Sequence, residues 1–150
     1  MITKHALKFF QSYVTEMIDI GGENLPKSIS SRLGAKLAKL YKERGIKDIY
    51  KGLKISYEIL KATPSITDID ESTIEVKIQY PEKYCPIGGE KSPDKAEMIQ
   101  EHICKPYTIG FLNELNPNLH YEGNIKHCIL NSDKTYCKYY LYHRKKDVNE

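Results

Sequence analysis

The stretch Ile74-Glu75-Val76-Lys77-Ile78-Gln79-Tyr80 decides the fold class of this chain. Apolar residues take every second position and polar ones the positions between, the pattern of a β-strand with one buried face. The first 62 residues read as helices. Leu7, Phe10, Val14, Met17 and Ile18 recur at helical spacing and stop at Gly21-Gly22. A second helix starts near Pro26, carries Ile29, Leu33, Leu37 and Leu40 along one stripe, and ends near Gly45. Asp48 can cap a third, with Ile49, Leu53 and Leu60, broken by Pro64. All three stripes are expected to face the core. After the strand comes a Pro- and Gly-rich loop over 81–93, then one or two helices over 96–103 and 106–115, with Pro106 suited to a first helical turn. Asn116-Pro117-Asn118 ends them. Two further strands, roughly 121–130 and 135–143, flank Asn131-Ser132-Asp133-Lys134, a composition suited to a tight turn. The spacing therefore predicts a single α+β domain over 1–150: N-terminal helices packed on a small antiparallel sheet, with a C-terminal hairpin.

Composition narrows the function classes. With 150 residues, 40% hydrophobic and 29% charged, the chain is long enough to bury a core and too apolar to be disordered. Its 23 positive and 20 negative residues leave +3, too balanced for the concentrated basic face of a nucleic-acid binder. No apolar run is long enough to span a bilayer. The first residues lack a signal peptide's apolar stretch and cleavage site, so a cytoplasmic location is expected. Aromatic usage is skewed, with 12 Tyr, 3 Phe and no Trp.

In a reducing compartment four cysteines suggest a metal or reactive thiols before disulfides. Cys85, Cys104, Cys128 and Cys137 all lie in the C-terminal half. If residues 131–134 form the turn, Leu130 pairs with Thr135 and Cys128 falls opposite Cys137, where cross-strand β-carbons are about 5 Å apart. That is near enough for both sulfurs to reach one zinc ion. Cys104 just before a helix and Cys85 at a loop start can each turn a thiolate inward, and a helix N-terminus at Cys104 would favour its thiolate form. Four thiolates match a closed tetrahedral zinc site. An iron–sulfur cluster and a Cys128–Cys137 disulfide are the alternatives. His102 could stand in for one cysteine, whereas His127, beside Cys128 on a strand, points away from it.

The segments Cys104-Lys-Pro-Tyr-Thr-Ile-Gly110-Phe-Leu-Asn-Glu-Leu115 and Cys128-Ile-Leu-Asn-Ser-Asp133-Lys-Thr-Tyr-Cys137-Lys-Tyr-Tyr resemble the C-terminal core of the 4-vinyl reductase domain family. The stretch Leu25-Pro26 through Gly34-Ala-Lys-Leu-Ala38 resembles its early helices. The resemblance implies an α+β fold shared with small-molecule sensor domains of bacterial activators and with subunits of vesicle-tethering complexes. It also implies binding of a small hydrophobic molecule and homodimers formed through the helical part. In zinc-binding sensor domains the ligands are the helix-opening Cys, the two hairpin Cys and a Glu three residues before the first of these. Ile125 stands at that last position here, and Ile cannot ligate. Cys85 is the replacement the resemblance suggests, because archaeal branches carry a Cys-Pro in that loop.

No dinucleotide fingerprint is present, and Gly88-Gly89 follows Cys85-Pro86 rather than a strand feeding a helix. A cysteine nucleophile with a histidine base, drawn from Cys85 or Cys104 and His102, His120 or His143, leaves a cysteine-dependent hydrolase of the amidohydrolase type as the alternative function. If all four thiolates hold a metal, no nucleophile remains and the site is structural. Tyr107, Phe111 and Leu115 fall at i, i+4 and i+8 and are the candidate ligand-pocket stripe, with Tyr hydroxyls as polar handles. Tyr136, Lys138, Tyr140 and Tyr142 share one strand face, either an interface or a solvated surface. The expectation is a stand-alone zinc-stabilised sensor or binding module.

Overall fold

Three helices precede the first strand: α1 (Lys4–Gly21), α2 (Asn24–Glu43) and α3 (Ile49–Glu58). The computed structural model describes residues 4–147. Asp48 caps α3 by accepting the Lys51 backbone N–H at 3.1 Å, as its position before the apolar stripe predicts. Strands β1 (Thr63–Asp68) and β2 (Thr73–Gln79) follow, then α4 (Pro93–Ile99), α5 (Lys105–Leu115), β3 (Leu119–His127) and β4 (Tyr136–Lys145). The four strands form one antiparallel sheet in the order β1-β2-β4-β3. Ile74, Val76 and Ile78 of β2 and Tyr139 and Leu141 of β4 turn to the same side and are buried with Phe111, Leu112 and Leu115 of α5. Fully burying such side chains stabilises by about 1.5–3 kcal/mol each. The result is the α+β arrangement of helices on a small antiparallel sheet.

Four expectations need correction. The segment around Pro64 is an edge strand and not merely a helix break; Pro64 sits opposite Ile78 at the sheet edge, where a missing N–H is tolerated. The hairpin connection is longer than residues 131–134. β3 ends at His127 and Ile129–Asn131 form a single 3-10 turn, tied down by Ser132 Oγ donating to the Cys128 carbonyl at 2.7 Å. A bulge between Ile125 and His127 shifts the register so that His127 pairs with Lys138. Continuing that register by one residue places Cys128 beside Cys137, just beyond the ladder.

The third correction concerns Cys104. It does not open a helix, because α4 runs through one wide π-type turn, Gln100–Cys104, directly into α5. Pro106 lies in the first turn of α5 and removes an N–H that the wider turn would leave without its i−4 partner. The fourth concerns the helical stripes. Leu33 and Leu40 are each 49% exposed, as is Phe10, whereas the buried face of α2 is Pro26, Ser30, Gly34, Ala38 and Tyr41.

That small-residue face is what α5 packs on. A Cβ built on Gly34 would run into the Tyr107 carbonyl oxygen, and one on Gly110 into the Ser31 carbonyl oxygen. The two helix backbones thus touch through glycines contributed by each, and Tyr41 stacks edge-on to Phe111 at 5.6 Å beside the crossing. In an unconstrained helix Gly→Ala stabilises by about 1 kcal/mol. Here Gly34→Ala is expected to destabilise by about 1–3 kcal/mol, because it meets backbone that cannot swing aside. Leu33→Ala one position away should change stability by less than about 0.5 kcal/mol. Urea denaturation of both variants checks this, and a stabilised Gly34→Ala would contradict the packing.

Candidate functional site

Between the sheet and the helices lies a cavity of about 160 Å³. Tyr107 and Phe111 of α5 form part of its wall, with Leu53 and Tyr57 of α3 and Ile78 and Tyr139 of the sheet. Leu115, the third residue of the expected stripe, lies elsewhere: it is buried in the main core against Gly52. The wall is almost wholly apolar, and Lys105 is the one charged residue on it. Its ammonium is engaged by Glu101 at 2.7 Å. Across the cavity the Tyr57 and Tyr139 hydroxyls hydrogen-bond to each other at 2.8 Å. Burial is the first cause that pushes both phenols up, so both are neutral.

All four cysteines line the same cavity, brought there by four different segments. Each is a free thiol. The interaction between the Cys137 and Cys128 side chains holds the Cys128 thiol down and, followed by burial, pushes the Cys137 thiol up. Burial pushes the Cys104 thiol up, with the charges of Cys85 and Cys128 adding to it. The expected lowering at Cys104 is therefore overturned: in mid-helix it sees no N-terminal dipole.

Backbone N–H groups converge on three of the sulfurs. Cys85 begins a tight loop closed by two Cys85–Gly89 backbone hydrogen bonds, each 2.8 Å. Gly89 takes φ +83°, a left-handed conformation that side chains resist, and this folds the chain back over Cys85. The Gly88 N–H then donates to Cys85 Sγ at 3.4 Å, with Ile87 and Gly89 also lowering that thiol against the larger effect of burial. The Leu130 and Asn131 N–H groups do the same for Cys128, and that of Ile129 for Cys137. Among the described residues, however, no three His, Cys, Asp or Glu side chains already stand together as a metal-holding group.

The histidines are placed apart from this cluster. His102 Nδ1 is 3.0 Å from the Met98 carbonyl and its Nε2 lies 3.9 Å from Glu23, so it does not replace a cysteine in this arrangement. His127 packs edge-on against Tyr136 at 5.7 Å. No histidine lines the cavity, which leaves the Cys/His pair of a hydrolase unassembled there among the described residues. Ile125, where the zinc-sensor pattern has Glu, is part of the apolar wall. Tyr136 and Tyr140 on the outer face of β4 lie under lysine ammonium groups, Lys77 at 4.3 Å and Lys126 at 5.3 Å respectively. No helix among the described residues is long and apolar enough to cross a membrane.

No known family pattern matches the chain, and no curated protein is similar to it in sequence. Among solved structures, the chain is similar to a trafficking protein particle complex subunit 3 from Naegleria fowleri, a structure described as covalently bound to palmitic acid. The likeness covers 93% of both chains with a TM-score of 0.64 at 11% identity. The chain thus shares the fold of a vesicle-tethering subunit.

Proposed function

We propose that this chain is a binding module for a small hydrophobic molecule, of the 4-vinyl reductase domain type. The observation that carries the reading is the apolar cavity between α3, α5 and the sheet. Its volume of about 160 Å³ is close to that of an engineered cavity of about 150 Å³ that stays dry and takes up benzene. The Naegleria protein of the same fold carries a fatty acid by its description, which supports an apolar occupant in this architecture. The cavity here has room for a compact ring or short chain rather than for a long acyl tail.

The four thiols at its wall support a structural zinc site in Cys85, Cys104, Cys128 and Cys137. Four sulfur donors from four segments suit a thiophilic ion, and the N–H groups aimed at Cys85, Cys128 and Cys137 favour their thiolate forms. Ligation would require these side chains to draw together from where they stand. Zinc, when bound, would supply the positive charge that the buried sulfurs lack. The residues would tie loop 85–89, the π-type turn and both strands of the hairpin to one point.

Self-association has its own support. Phe9 and Tyr13 on α1 are 67% and 65% exposed and stack edge-on at 5.2 Å, and Ile20 on the same face is 80% exposed. An aromatic face of this kind on a soluble helix suits a partner, here a second copy.

Solvent extraction of the purified protein, followed by mass spectrometry, should return a neutral apolar molecule. Benzene added to the stripped protein should then raise its melting temperature by several degrees, as about 2.7 kcal/mol of linkage at a hundredfold excess over Kd requires. No extractable molecule together with no benzene effect would contradict the binding reading. Elemental analysis should find about one zinc per chain, with thiols protected until a chelator is added and melting lowered afterwards. Metal-free protein with four freely reactive thiols would contradict the zinc site. Light scattering should give a dimer that Tyr13→Glu dissociates while its far-UV circular dichroism stays unchanged.

A further inference from the structure

The Tyr57–Tyr139 pair contains an arithmetic mismatch. Each phenol can donate one hydrogen bond and accept two. When two phenols bond only to each other, one hydroxyl hydrogen is used and the other is not. The 2.8 Å bond between them is the one hydrogen bond that either hydroxyl makes among the described residues. Both residues line the cavity, Tyr57 from α3 and Tyr139 from β4. One O–H donor of this part-buried pair therefore remains without a protein acceptor at a mostly apolar wall, and a donor withdrawn from water in that state is costly.

The surroundings define what can answer it. Ser56, Tyr80, Gln100, Thr108 and Asn124 also line the wall, and no hydrogen bond joins any of them to either phenol; Ser56 instead donates to the Leu53 carbonyl at 2.7 Å. The thiols are poor acceptors. Lys105 is paired with Glu101, so no free cation faces the cavity to offset an anionic group. We infer that the cavity selects a neutral, compact molecule bearing one hydrogen-bond acceptor, such as a ketone, ether or alcohol oxygen, which accepts the spare hydrogen of the Tyr57–Tyr139 pair. This inference rests on the reading of the cavity as a small-molecule site and adds the ligand's chemical class to it. Tyr57 and Tyr139 are then the selecting residues, and the sulfurs and aliphatic side chains supply shape.

Three probes with the same six-membered ring separate the possibilities: cyclohexane, cyclohexanone and cyclohexanecarboxylate. Calorimetry at neutral pH would compare the wild-type chain with Tyr57→Phe, Tyr139→Phe and the double variant. Each single variant keeps one free hydroxyl hydrogen and should retain cyclohexanone binding. The double variant should lose about tenfold in cyclohexanone affinity, while cyclohexane binds as well or better. Retained cyclohexane binding also reports that the double variant is folded. An infrared measurement on the wild-type complex is independent of any variant: the ketone stretch should move to lower frequency on binding, as a donated hydrogen bond requires. If none of the probes binds the wild-type chain, the cavity reading fails and this inference with it. If the ring compounds bind but the double variant affects ketone and hydrocarbon alike, or the ketone stretch does not shift, the inference alone is overturned. The same holds if the carboxylate binds most tightly.

Discussion

The close approach of α2 and α5 is the constraint on which the remaining structure depends. Gly34 on one helix and Gly110 on the other let backbone meet backbone, and neither position has room for a side chain. With the helices that close, Tyr107 and Phe111 are fixed relative to the sheet, and Tyr41 closes over Phe111 from α2. The cavity is the space left between this helical pair, α3 and the inner sheet face. Its shape is thus a consequence of glycine placement directly behind its wall, where Gly34 meets the backbone of Tyr107 and Phe111. A protein interior is packed densely enough that a shift in that crossing would be transmitted to the cavity.

The sulfur side of the cavity obeys a different logic. Burying thiols in apolar surroundings raises their pKa, as at Cys85 and Cys104, while at Cys137 the interaction with Cys128 raises it first and burial second. Backbone N–H donors oppose the rise at Cys85 and Cys137, and at Cys128, where the interaction with Cys137 is also present, the balance reverses. Left-handed Gly89 and the 3-10 turn at Ile129–Asn131 bring these backbone donors to the sulfurs. The cysteines and the apolar wall share one space, so occupation of either region bears on the other.

Much of this was legible from the order of residues. The alternation at 74–80, the Asp48 cap and the grouping of Cys104, Cys128 and Cys137 follow from rules with strong local signals. Cys128 comes to lie beside Cys137 although the turn differs, because the bulge at Ile125/His127 and the longer connector compensate each other in register. What escaped detection has physical causes. β1 offers one branched aliphatic residue, Ile66, two positions after a proline, and its pairing is supplied by β2 rather than by its own pattern. On α2 large leucines suggested the core face, yet the buried face is small because its neighbour is so close. The signal that could have revealed it is Ser30, Gly34 and Ala38 at four-residue intervals, matched by Gly110 on the opposing helix. The π-type turn that carries Cys104 has no sequence signature beyond Pro106 following it.

Tyr107, Phe111 and Tyr139 bound an apolar cavity of ligand size. Diffraction from crystals pressurised with xenon tests it most directly, since xenon enters apolar voids of this size without requiring any particular polar partner. A xenon peak is expected among those three side chains, on the sheet side of α5. A cavity filled by ordered water, or closed by the same side chains with no xenon bound, would contradict it.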